Sequence, residues 1–215
     1  MSKSIVYYAH DFLPEHIEEK CRAQLKKAGL PIISVSLNKK IDFGDIRLNV
    51  TGKASAEMMH YQIVCGLNYR IADTIFLCEH DVLYHPSHFD FTPPREDTFY
   101  FNTNVYKQWQ DGLIVWTDDL QQNSGLCGNR ALLLDFFTMR LLQIQREGNN
   151  RHYEPQPRYG CRVENWQSVY PNVDIRHGKN LTRSHRAASE FRNPKYAKGF
   201  RVVNSVPGWG GLLDG

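Results

Sequence analysis

The 215-residue sequence predicts an α/β fold, a mostly parallel sheet flanked by helices with an irregular region at its C-terminal end. Two observations carry that expectation. Up to about residue 78, short runs of branched and aromatic residues alternate with segments of helical periodicity, in the order strand, helix, strand, helix, strand. From Asn149 onwards, Pro, Gly, Asn and Arg dominate and the periodicity fades.

The elements follow in order. Ser4 to Ala9 (SIVYYA) reads as a strand. Pro14 to Ala28 spaces Ile17, Cys21 and Leu25 four apart, with Pro14 at its start, Gly29 as the stop and Pro31 beyond, which predicts an amphipathic helix. Ile32 to Leu37 is a second strand, and Ser55 to Arg70 a second helix with Met59, Ile63 and Leu67 on one face. Thr74 to Cys78 (TIFLC) suits a buried parallel strand. Two further strands are expected at Thr98 to Val105 and Leu113 to Trp116, then an apolar helix from Gly128 to Gln145, stopped by Gly148. The late region offers one short strand near Val173 to Arg176. Length and continuity predict a single domain over residues 1–215, with no internal repeat.

Composition narrows the function. Hydrophobic content of 41% and charged content of 23% are those of a soluble globular chain. No apolar stretch approaches the length needed to span a membrane, and the first residues do not read as a signal peptide. The five cysteines, at 21, 65, 78, 127 and 161, are odd in number and scattered without CxxC spacing. Free thiols in a reducing compartment, hence the cytoplasm, are the simpler reading. The net charge of +3 is unevenly spread. Between Arg176 and Arg201, eight Lys and Arg face one acid, Glu190, so that this stretch carries +7 and the rest of the chain −4. Such segregation favours a polyanion: a diphosphate, a nucleic acid or an acidic glycan.

In an open α/β sheet, ligands bind beyond the carboxyl ends of the strands. Tyr8-Ala9-His10-Asp11 ends the first strand and Glu79-His80-Asp81 the third. In an extended segment Glu79 and Asp81 share a face. Two carboxylates so placed repel each other unless a cation sits between them or their pKa values separate. Oxygen ligands suit Mg²⁺ or Mn²⁺, and the alternative is a pair of polar residues that simply end a strand.

An apolar strand running into acid-x-acid after strand–helix–strand–helix resembles the nucleotide-sugar half of the GT-A glycosyltransferases. More closely, FLCEHDVLYHPSHFDF, SGLCGNRALLL and YPNVDIRHGKNLT resemble small single-domain glycosyltransferases of phages and bacteria, over roughly residues 4 to 210. The resemblance implies a GT-A-like fold. Residues 1–120 would form the nucleotide-sugar-binding half and 121–215 the acceptor side. It implies a metal held by Asp81 with Glu79 as partner and His177 from the late region, His185 being the next choice. An imidazole in that set favours Mn²⁺ over Mg²⁺. It further implies Glu164 as the base of an inverting transfer, with Asp118, Asp119 and Asp135 as rivals. Lys179 or Arg183 would help to stabilise the departing diphosphate. Tyr8, His10 and Asp11 fall where base and ribose are recognised, although Asp11 could equally cap the following helix; Lys53 could reach phosphate or be solvated. Trp116 and Trp166 are acceptor-side candidates that could as well be core.

Taken with the basic stretch, the resemblance to phage proteins implies a hydroxymethylated pyrimidine in DNA as acceptor; a surface polysaccharide or lipid-linked glycan is the alternative. Two other classes are a nucleotidyltransferase, disfavoured by the lack of glycine in YAHDFLPEH, and a non-catalytic sugar- or nucleic-acid-binding module.

Overall fold

The computed structural model describes residues 1–10, 13–117, 119–148, 154–177 and 200–210. Its larger sheet has seven strands: β1 (Lys3–Ala9), β2 (Ile32–Leu37), β3 (Ile46–Val50), β4 (Thr74–Glu79), β6 (Thr98–Asn102), β9 (Leu126–Asn129) and β10 (Arg162–Trp166). Their order across the sheet is β10-β6-β9-β4-β1-β2-β3. All neighbours are parallel except β9, which runs antiparallel to both β4 and β6. The expected mostly parallel α/β sheet is therefore present.

Helices α1 (Glu15–Lys26), α2 (Ala56–Leu67) and α3 (Arg130–Glu147) flank it. On one face α2 and α3 bury Ile63, Leu67, Leu133 and Phe137 against Val6, Val35, Ile75, Leu77 and Phe99. On the other, Tyr7, Phe76, Cys78 and Tyr84 pack with Leu25, Phe43 and Phe89. Gly66 is where α2 comes closest to the sheet: a Cβ there would stand 2.5 Å from Val6 Cγ1. Ser55 caps α2, its hydroxyl accepting the Met58 N–H at 3.1 Å. The N-cap of α1 is Pro14, and Asp11 lies outside the described residues.

A second sheet has the order β12-β8-β7-β11-β5, from β5 (Val82–Leu83), β7 (Val105–Trp109), β8 (Ile114–Thr117), β11 (Asn172–Arg176) and β12 (Phe200–Val203). Ile17 and Cys21 of α1 pack against Leu83 and Val173 of this sheet.

Several boundaries differ from expectation. The strand expected over Thr98 to Val105 is two, because the chain crosses at Thr103-Asn104 from one sheet to the other. The start of the expected Gly128 helix is the antiparallel strand β9, and α3 begins only at Arg130, capped by the Asn129 side chain. The late region holds β10 and β12 besides β11.

Candidate functional site

Three chain segments meet at the carboxyl ends of the central strands. Tyr8 and His10 come from β1, Glu79, His80 and Asp81 from the end of β4, and Arg176 and His177 from the end of β11. The last is brought there by pairing. Asp174 is in register with Val82 of β5, and the Ile175 N–H donates to the Asp81 carbonyl at 2.9 Å. Running antiparallel to β5, β11 thus carries residue 177 back past Asp81.

The chain turns at His80-Asp81, immediately after β4. The alternation that would put Glu79 and Asp81 on one face of a strand therefore does not apply. The Glu79 carboxylate instead accepts the Tyr8 hydroxyl at 2.9 Å, while its N–H donates to the Tyr84 hydroxyl at 2.8 Å. Tyr84 in turn donates to the Ser124 carbonyl at 2.9 Å, which ties the strand end to the loop before β9.

Asp81 is gathered with two imidazoles. His177 Nε2 lies 3.4 Å from Asp81 Oδ2 and His80 Nδ1 3.9 Å from Asp81 Oδ1; all three residues are buried. One nitrogen or oxygen from each falls within 4.8 Å of the others. Two ligands each about 2.1 Å from one ion stand about 3.0–3.4 Å apart, so the His177–Asp81 spacing fits a shared cation, and it is long for an N–H···O hydrogen bond. His80 Nε2 is buried with no hydrogen-bond partner among the described residues. Burial lowers the His80 pKa to about 4, outweighing the pull of Asp81, so that its ring is neutral and keeps a free lone pair. The His10 ring stands edge-on to it at 4.1 Å.

Charge around Glu79 is finely set. Burial, then Asp81 and Asp174, push its carboxyl up to about 8, against the Tyr8 hydrogen bond and Arg176. Asp174 is held by Lys107 at 2.7 Å and by Arg176 at 3.3 Å. Above these groups opens a narrow cleft of about 60 Å³, its far wall formed by Ser55, Met58, Met59 and Gln62. The Gln62 amide donates to the Ala9 and Val35 carbonyls at 2.8 and 2.9 Å and so fixes that wall to β1 and β2.

The structure thus brings together Tyr8, His10, Glu79, Asp81 and His177. It adds His80 and Arg176, which no motif of the sequence marks as site residues. In the metal-sized group His80 stands where Glu79 was expected. Lys53 is exposed beside Ala54 at the rim. Glu164 is not brought to the cluster. It pairs with Tyr100, Tyr100 with Cys127 and Cys127 with Phe76, which sets it level with Phe76 and three strands from β4. At strand spacing that is about 14 Å across the sheet, with the rise from Phe76 to Asp81 still to add. Glu164 is exposed there, in the field of Arg95. Asp11, Asp118, Lys179, Arg183 and His185 lie outside the described residues. Asp119 and Asp135 are exposed. Trp166 stacks on Phe91 at 4.4 Å, and Trp116 carries Arg201 over its ring at 5.2 Å.

Neither a protein-family model nor a curated protein matches the sequence. Among solved structures, the chain is similar to a glycosyltransferase involved in the glycosylation of the major capsid of PBCV-1, at 9% identity and a TM-score of 0.46, over 76% of this chain and 81% of that one. It is also similar to the inositol-1-phosphate CTP transferase from T. maritima, at 11% identity and a TM-score of 0.48, over 85% and 92%.

Proposed function

We propose that this chain is a divalent-metal glycosyltransferase that takes its sugar from a nucleotide-sugar donor. The observation that carries the reading is the buried His80–Asp81–His177 group beneath a cleft at the carboxyl ends of β1 and β4. A divalent ion bound there would neutralise charge on the leaving diphosphate. Two imidazoles and one carboxylate favour Mn²⁺ over Mg²⁺, which prefers oxygen. Arg176 faces the cleft and would draw the phosphate oxygens; Tyr8 and Glu79 would receive ribose or base donors. Lys53, Lys179 and Arg183 are further phosphate candidates in this reading, and Asp11 and His10 further donor contacts. Glu164 is left out of the reacting group, so the base and the stereochemical course are not assigned with it. Residues 1–120 would serve the donor and 121–215 the acceptor, within one domain.

A thermal-unfolding panel of nucleotide sugars with and without Mn²⁺ tests this. One nucleotide family is expected to raise Tm by about 5–10 °C at a hundredfold excess over Kd, and only with the metal present. Stabilisation by Mn²⁺ to which no nucleotide sugar adds would favour a plain metal site and sink the reading.

For the acceptor we propose a hydroxymethylated pyrimidine in DNA; the +7 charge of residues 176–201 supports the polyanion, not the modified base. Duplex binding is expected to weaken steeply between about 50 and 200 mM salt. Absence of binding at low salt, or binding indifferent to salt, turns the acceptor to a glycan.

A further inference from the structure

The outer face of α3 has a pattern that the site does not use. Leu133, Phe137, Leu141 and Ile144 point inward and are buried. The opposite face presents Leu132, Asp135, Met139, Leu142 and Arg146, at spacings that alternate three and four. That spacing is a heptad seam, the arrangement by which one helix packs along another. Leu132, at one end, is half-buried against the core, but the rest of the seam faces away from it: Met139 is 66% exposed and Leu142 50%. Asp135 and Arg146 are exposed too, and neither forms an ion pair within the described residues. All five residues line one groove of about 600 Å³, with Tyr159 and Arg162 on its other side.

We propose that this seam is a self-association surface, on which α3 packs antiparallel against α3 of a second copy of the chain. The register argues for a second copy. A two-fold axis midway between Arg140 and Leu141 sets Met139 against Leu142 of the partner subunit, and Asp135 against Arg146 of the partner subunit. Each contact then occurs twice, as a closed two-fold interface requires. Both ion pairs are attractive and flank an apolar centre. Parallel pairing would instead set like charges against each other. Antiparallel packing also sets the two helix dipoles side by side and opposed. Tyr159 and Arg162 beside the seam leave room for the partner helix to settle into the groove rather than touch along one line.

Sedimentation velocity of the full chain over a concentration series tests the surface. Wild-type protein is expected to shift from monomer towards dimer with concentration. Asp135→Arg and Arg146→Asp each turn both ion pairs into repulsions, and each is expected to weaken association about tenfold or more. An equimolar mixture of these two single variants restores both attractive pairs and is expected to associate as wild type does. The variant carrying both reversals is expected to do the same on its own, which separates lost pairing from a damaged helix. A wild-type chain that stays monomeric at about 200 µM overturns the proposal. So does a dissociation constant unmoved by the single reversals, or a mixture that fails to regain association.

Discussion

Asp81→Asn is expected to abolish Mn²⁺ binding in the micromolar range and, with it, any metal-dependent stabilisation by a nucleotide sugar. The change keeps the shape of the side chain and removes the anionic oxygen that stands 3.4 Å from His177 Nε2. Losing even an outer-shell partner costs a metal site about ten- to a hundredfold, so losing its one carboxylate should cost more than about a hundredfold. Without metal the variant should not be less stable than wild type. Asp81 adds to the repulsion that raises the Glu79 carboxyl, and removing its charge relieves Glu79. Calorimetric titration with Mn²⁺ alone, paired with thermal melts, reads both effects. Glu79→Gln provides the contrast: because Glu79 is engaged with Tyr8, Mn²⁺ affinity should move by only a few-fold while nucleotide-sugar binding falls. If the two variants lose metal alike, Glu79 is a ligand after all; if Asp81→Asn binds Mn²⁺ as before, the metal site is misplaced.

That contrast marks where the sequence stopped being informative. β1, β2, β4 and their helices were legible because a buried parallel strand has to be a short apolar run and a flanking helix has to show its stripe. β3 (IRLNV) buries only part of each alternate side chain at the sheet edge and gives a weak signal. β9 hides in LCGN at what reads as a helix entry, since Gly128 and Asn129 are residues that strands disfavour. In the site, Asp81 and His177 were legible as residue types. His80 was not, because period-two reasoning assumes the strand continues, whereas the chain turns immediately after Glu79. Glu164 failed for a different reason. Which strand β10 joins is set by long-range pairing with β6, and nothing local to CRVENW states it.

The same dependence on distant pairing makes His88 the residue whose loss should be felt furthest. Its ring is fully buried beneath Trp166, and the one lone pair of Nδ1 is shared by the side-chain amides of Asn102 at 2.8 Å and Asn172 at 3.0 Å. Asn102 ends β6 and also donates to the Ser168 hydroxyl at 2.8 Å; Asn172 opens β11 and accepts the His85 N–H at 3.2 Å. A protonated ring would have no acceptor at Nδ1 for either amide and would place a charge in an apolar site, so burial holds its pKa down at about 3. Unfolded histidine titrates near 6.5, so the unfolded chain binds the extra proton first as pH falls. The stability carried by neutral His88 is therefore complete above about pH 6.5 and drains away towards pH 3, by a total on the order of 4 kcal/mol. His80, held at about 4, adds a shallower loss of the same sign. His88→Leu should cost about 2–4 kcal/mol at pH 7, since two buried amides lose their acceptor. That cost should shrink steadily in urea-unfolding midpoints taken down to pH 4.5. A cost unchanged with pH would mean that the proton is not excluded as described. Because Asn172 sets where β11 begins and His177 follows the end of that strand, the same variant should also weaken Mn²⁺ binding, although His88 lies outside the metal-sized group.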